Sequence, residues 1–200
     1  MRCDGQPSLC CEQRSVEGIL SVERDVAFLP KSNEITLVLA DALPPTSAVA
    51  AAFGLVFNGD RLLLAHLRDA TRAWDLPGGH LEPGERPEAA MEREVYEETA
   101  IYVEQPRLFA YQRLRILAPK PAGYAFPYPD SAMVFYRAVI RRIDPFVPTA
   151  EVRARAFLPP EQVRQTRWAQ RTPALYEAAR ADAASSPSRL DHHLGAEARW

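Results

Sequence analysis

The feature that most constrains this chain is the run GGHLEPGERPEAAMEREVYEETAI, from Gly78 to Ile101. It sets a glycine, Gly79, then Glu85 six residues on, then Arg93-Glu94-Val95 eight further, then Glu97-Glu98 and Ile101. Pro87 suits the first turn of a helix and Glu88 its positive end. Ala89, Ala90, Met91 and the glutamates that follow are good helix formers. The pattern predicts a helix from Pro87 to Ala100. At about 100° per residue, Glu94, Glu97 and Glu98 share one third of the wheel. Met91 and Val95 form one apolar flank; Ala89, Tyr96 and Ala100 form the other. Glu88, Glu92 and Thr99 lie opposite, as a solvated face. Two apolar flanks around a carboxylate face do not describe a simple surface helix.

Three carboxylates so close repel one another, and Glu94 with Glu98 is an unfavourable like-charge pair at i,i+4. A cation belongs there. Arg93 is placed to pair with Glu97 or with Glu85. Carboxylates without histidine or cysteine nearby favour Mg²⁺ (or Mn²⁺) over Zn²⁺. The bland alternative is a solvated acidic helix with incidental salt bridges. Gly79, Glu85 and the Pro83-Gly84 turn at fixed spacing weigh against it.

This stretch resembles the Nudix box, G-x5-E-x7-R-E-U-x-E-E-x-G-U with U aliphatic. Every fixed position matches except one, where Ala100 replaces glycine. A chance match of this kind is on the order of one in a million for average composition. The departure falls where helices commonly end on a left-handed glycine, and it bears on the helix end rather than on the acids. The resemblance covers the box closely and residues 47–165 in outline. It implies an α+β chain with the Nudix-type α/β/α sandwich, a mixed β-sheet between helices. It implies metal-dependent hydrolysis of a nucleoside diphosphate linked to another group. It also implies a metal shell of Glu94, Glu97, Glu98 and the Gly79 carbonyl, with Glu97 and Glu98 the principal ligands. Glu94 is a ligand or the general base. Glu85 and Arg93 are orienting groups. Some family members take a further glutamate from a loop facing the helix, and Glu151 stands where one would come from; the alternative is an ordinary exposed glutamate.

A small-molecule nucleotide is the expected substrate, a nucleoside triphosphate first, in the manner of MutT. ADP-ribose or a nucleotide sugar is the alternative; Pro119 lies near a proline of ADP-ribose members. A non-catalytic nucleotide-sensing regulator is a rival from another class, and the intact box carboxylates argue against it. An RNA-processing member is another, supported only by the basic second half.

Charge divides unevenly about the net −2. Residues 1–100 carry nine Lys/Arg and seventeen Asp/Glu; residues 101–200 carry fifteen and nine. Arginine suits phosphate oxygens, so the second half is a source of substrate contacts or simply a solvated surface. No Lys/Arg block is dense enough to argue nucleic-acid binding by itself. Nothing approaches a membrane span in length, and the first residues lack the apolar core of a signal peptide. The expectation is a cytoplasmic protein. Cys3, Cys10 and Cys11 crowd the N-terminus and offer no disulfide framework.

Read in order, residues 1–15 form an expected tail. Residues 16–45 form a β-hairpin extension and linker, with strands at Asp25–Pro30 and Glu34–Ala40 around Lys31-Ser32-Asn33. That hairpin is an edge addition to the main sheet or part of a homodimer contact. The domain proper is residues 46–184, followed by a tail at 185–200. Ala48–Phe57 and Arg61–Leu67 flank Asn58-Gly59-Asp60 with a type I′-like signal. Tyr102–Leu117 reads as one or two strands broken near Pro106. There Arg113 and Arg115 share a face directed at substrate phosphates or at water. Ala118–Pro129 is a proline- and aromatic-rich loop. Its rings and Trp74 are candidates to stack on a base, or else anchor the loop. Ser131–Ile140 and Glu151–Leu158 read as strands, with Arg141–Ala150 an irregular loop between them. Helices are expected from Pro159-Pro160-Glu161 and over Pro173–Ala184.

Overall fold

The computed structural model describes residues 18–45 and 48–185. The cysteines and the pair His192-His193 lie outside the described residues.

Among the described residues, nine strands form the sheet. They are β1 Gly18–Arg24, β2 Asn33–Leu39, β3 Val49–Asn58, β4 Arg61–Leu67, β5 Trp74–Asp75, β6 Gly78–His80, β7 Ile101–Ile116, β8 Asp130–Ile143 and β9 Val152–Leu158. Their order is β1-β2-β7-β8-β3-β4-β5, with β6 on β3 and β9 on β4. β3 and β8 pair in parallel, while the pairs flanking them are antiparallel, so the sheet is mixed. The helices are α1 Pro87–Thr99, α2 Pro160–Val163, α3 Arg167–Arg171 and α4 Pro173–Ser185.

Strand alternation sorts the core into two layers. Leu55, Phe57, Leu62 and Leu64 pack with Val163, Ala169, Leu175 and Tyr176 of α2–α4. Val56 and Leu63 face the other way, onto Ala90, Met91 and Val95 of α1. Because both faces are covered, β3 reads as a nearly continuous apolar run rather than an alternating one. The result is the expected α/β/α sandwich.

The N-terminal hairpin exists, but its first strand is earlier than expected. β1 occupies 18–24, and Asp25–Pro30 belongs to the connecting loop. The apolar character of Val26, Ala27 and Phe28 misled the strand assignment; those residues line a cavity instead. β2 pairs with β7 along its whole length, so the hairpin extends the main sheet. The β3–β4 turn has positive φ at Gly59 alone, the φ pattern of a type II′ rather than a I′ turn. β7 is one strand, with a register break between Glu104 and Arg107 and positive φ at Gln105 just before Pro106. The proline therefore sits at a bulge rather than ending the strand. β8 runs three residues past Ile140 into the expected loop.

In α1, Ala100 adopts the left-handed cap at φ 51°, and its N–H donates to the Tyr96 carbonyl. Two assignments on the helix wheel fail, the first at Thr99, which is fully buried. Its hydroxyl donates to the Val95 carbonyl one turn back, which satisfies the polar group inside the layer. Ala89, expected on an apolar flank, is exposed.

Candidate active site

The short strand β6 lies beside α1, and glycine is required there for space. A Cβ on Gly79 would fall 2.5 Å from a Glu94 carboxylate oxygen. Gly78 adopts φ 152°, and a Cβ there would strike the Ala52 carbonyl and the Phe53 ring. The Gly78 N–H donates to Glu98 Oε2 at 3.0 Å. The glycine pair thus brings the carboxylates of Glu94 and Glu98 down onto backbone.

Arg93 organises the remaining acids. Its Nε and Nη2 donate to the two Glu85 oxygens, each at 2.9 Å, a bidentate fork. Nη1 donates to Glu94 at 2.9 Å and to Glu97 at 3.2 Å, and Nη2 also reaches the His80 carbonyl. Glu85 is held below the usual carboxylate range, chiefly by that fork. The guanidinium is correspondingly driven further into its charged form. Both expected partners of Arg93, Glu85 and Glu97, are engaged at once.

Glu98 has no such partner. Burial, offset in part by the Gly78 N–H and increased by neighbouring Glu94, pushes its carboxyl up to about 7. Among the described residues, no three His, Cys, Asp or Glu side chains converge into a preassembled ligand set. The reason is visible at Glu97, whose side chain is 58% exposed and drawn to Arg93 rather than toward Glu98. The donor set still suits a hard divalent cation. Glu94 and Glu98 are oxygen donors that repel each other across a glycine-floored space, and Arg93 neutralises only the first.

A cavity of about 660 Å³ opens on the sheet face opposite α1, and none of the α1 acids lines it. Phe53, Met133 and Phe135 form its floor, and Phe53 stacks on Phe135 with centroids 5.6 Å apart. Trp168 and the arginines Arg167 and Arg171 of α3 form one wall. Arg72 and Asp75, ion-paired at 2.9 Å, line the cavity, and both act electrostatically on Glu98.

Other expected site residues lie elsewhere. Trp74 packs edge-on against His66, at 4.7 Å between centroids, and does not line the cavity. Arg113 and Arg115 remain on a shared face but are ion-paired with Glu34 at 3.9 Å and Asp130 at 3.3 Å, away from the cavity. Strand alternation forces this: Gln112 points into the cavity, so its neighbour Arg113 cannot. Glu151 is exposed at the start of β9. Its backbone is held by Thr149 and Arg68, and among the described residues its carboxylate has no hydrogen-bond or salt-bridge partner. The cavity aromatics Phe53 and Phe135 carried no local signal, since only the parallel β3–β8 register sets them side by side. Arg167 and Arg171 did carry one, a spacing of four around Trp168.

The NUDIX domain family model matches residues 47–179, more than half of the chain. The chain belongs to the NUDIX family. A MutT-like protein of Streptomyces ambofaciens is 48% identical over 65 residues, which is 32% of this chain and 42% of that protein. An RNA pyrophosphohydrolase of Rhodopseudomonas palustris is 48% identical over 50 residues, 25% of this chain and 29% of that one. A putative 8-oxo-dGTP diphosphatase of Bacillus subtilis is 46% identical over 48 residues, 24% of this chain and 32% of that one. The matched stretches span less than half the length of these relatives. Among solved structures, the pyrophosphohydrolase BsRppH of Bacillus subtilis superposes with a TM-score of 0.56 at 20% identity, over 76% of this chain and 92% of that one. That likeness is one of fold. Among the described residues, no helix is long and apolar enough to cross a membrane.

Proposed function

We propose that this NUDIX chain is a divalent-metal-dependent pyrophosphohydrolase acting on a nucleoside diphosphate linked to another group, with a nucleoside triphosphate as first substrate. The observation that carries this reading is the glycine-floored pair Glu94 and Glu98, ordered by Arg93 and linked through Arg72 and Asp75 to an aromatic, arginine-lined cavity on the other sheet face. Relatives named for pyrophosphohydrolysis and for 8-oxo-dGTP cleavage support it.

Glu94 and Glu98, with Glu97 and the Gly79 carbonyl, would hold Mg²⁺ or Mn²⁺. Such an ion neutralises phosphate oxygens and makes a bound water more acidic. The chain's own residues do the rest. Arg93 locks Glu85 and steers Glu94, so that one acid keeps its charge and direction. Glu94 is the box acid of first choice to accept the proton of the attacking water, since Glu98 is committed to the ion. Glu151 is the second choice, reached by movement of the 144–151 loop. Arg72, Arg167 and Arg171 offer charge to the phosphates, and the ring of the nucleoside occupies the aromatic floor.

The test is a substrate panel of nucleoside triphosphates, ADP-ribose, a nucleotide sugar and 5′-triphosphorylated RNA, with Mg²⁺ or Mn²⁺ and products identified by mass. Release of a nucleoside monophosphate and pyrophosphate from a triphosphate is the expected result. Preference for ADP-ribose or for RNA moves the substrate assignment within the same chemistry. No turnover of any member sinks the hydrolase reading and leaves a nucleotide-sensing role.

A further inference from the structure

The cavity is not built by the family domain alone. Glu23, Val26, Ala27, Phe28 and Ile35 line it, and all five precede residue 47, where the family match begins. They belong to the N-terminal hairpin, whose strand β2 is zipped onto β7 from Asn33 to Leu39. The connecting loop is fixed by one side chain. Asn33 is fully buried. Its Oδ1 accepts from the Val26 N–H at 3.0 Å, and its Nδ2 donates to the carbonyls of Val26 at 3.1 Å and Pro30 at 3.1 Å. The Asp25 N–H closes the loop onto the Asn33 carbonyl at 2.9 Å. A buried amide spending both ends on one loop gives that loop a defined shape. The loop holds Phe28 at the cavity wall with 65% of its surface exposed. An aromatic ring on the lining of a cavity that already holds Phe53 and Phe135 offers a face on which a flat ligand can stack.

We propose that the N-terminal hairpin is the specificity element of this site: Phe28 contacts the ring of the bound nucleoside, and Asn33 is the positioning residue that holds Phe28 there. The inference rests on the reading of the cavity as the nucleoside site. It assigns discrimination among rings to a segment outside the conserved-box domain. The phosphates remain with the arginines and acids on the far side.

Binding is measured apart from turnover, by isothermal titration calorimetry on the full chain, using AMP, GMP, CMP and UMP, with ribose 5-phosphate as the ringless control. Phe28→Ala is chosen because the side chain is exposed, and Phe28→Leu retains apolar bulk without the ring. Wild type is expected to bind at least one nucleotide more tightly than ribose 5-phosphate. Phe28→Ala should weaken that nucleotide at least tenfold, Phe28→Leu should recover only part of the loss, and ribose 5-phosphate should be unaffected by either. Asn33→Ala should raise KM for the best substrate with a much smaller change in kcat. Joined to Phe28→Ala it should add little, since both remove one contact. If wild type prefers a nucleotide over ribose 5-phosphate and Phe28→Ala binds it within twofold of wild type, the hairpin assignment is overturned while the nucleotide reading stands. If wild type shows no preference for any nucleotide over ribose 5-phosphate, both fall together.

Discussion

Glu98 is the residue at which structure and chemistry are most tightly linked. Its carboxyl rises from an ordinary 4.5 to about 7 because burial disfavours the charge and Glu94 opposes it. Between pH 4.5 and 7 the folded chain keeps a proton that the unfolded chain has released, so stability falls as pH rises through this window and is level on either side. The shift corresponds to at most about 3 kcal/mol. Urea unfolding in EDTA should show that decline, and Glu98→Gln should flatten it. The same variant should lose at least about a hundredfold in turnover. A full rate in Glu98→Gln with Mg²⁺ would remove Glu98 from the chemistry. Ala100 poses a separate question at the same scale. It holds φ 51° with a Cβ, in a conformation that favours glycine. Ala100→Gly should therefore stabilise the chain by up to about 1 kcal/mol in urea unfolding. The metal dependence of turnover should not move, because the strain sits at the helix exit and not among the acids.

At the level of elements, α1 was legible because its signals are local. Pro87 at the start, the glutamate spacing and the Met91–Val95 flank all lie within one run, and the helix ends one residue from the expected place. Thr99 was misjudged because its side chain bonds its own helix backbone, which a wheel does not show. The cavity was not legible. Phe53 and Phe135 come from strands 82 residues apart in sequence, joined by a parallel register, and Phe28 comes from a loop misread as a strand. Trp74, Arg113 and Arg115 had suitable chemistry, but packing and strand parity sent them elsewhere. α1 also acts as one electrostatic unit through Arg93. Arg93→Ala would strand Glu85, and leave Glu94 and Glu97 repelling each other. A loss of roughly 2–3 kcal/mol in unfolding free energy is expected, with a fall in kcat larger than that of Glu151→Gln. With Glu151 exposed, Glu151→Gln should stay within about threefold of the wild-type rate, with an unchanged acidic limb of the pH–rate profile. A loss of about a hundredfold there would transfer the acceptor role to Glu151.

Over the whole molecule, the two halves of the sequence divide the task by charge. The first half, with seventeen acidic residues against nine basic, holds the α1 acids. The second, with fifteen basic against nine, supplies Arg167 and Arg171 at the cavity wall. The sheet keeps these apart, since α1 packs on one face and α3 and α4 on the other. A cation bound between Glu94 and Glu98 would relieve their repulsion and would be bound only in the folded chain. Its binding free energy therefore becomes folding free energy. With half-saturation near 1 mM, 10 mM Mg²⁺ would add about 1.4 kcal/mol, or about 3–6 °C in Tm for a chain of this size. NaCl at matched ionic strength should not reproduce the shift, because screening acts on exposed charges and this pair is recessed. Glu98→Gln should melt higher than wild type in EDTA at pH 8, having lost the repulsion, and should gain almost nothing from Mg²⁺, having lost the ligand. An equal Mg²⁺ shift in wild type and Glu98→Gln would show that the stabilising ion binds elsewhere on the chain.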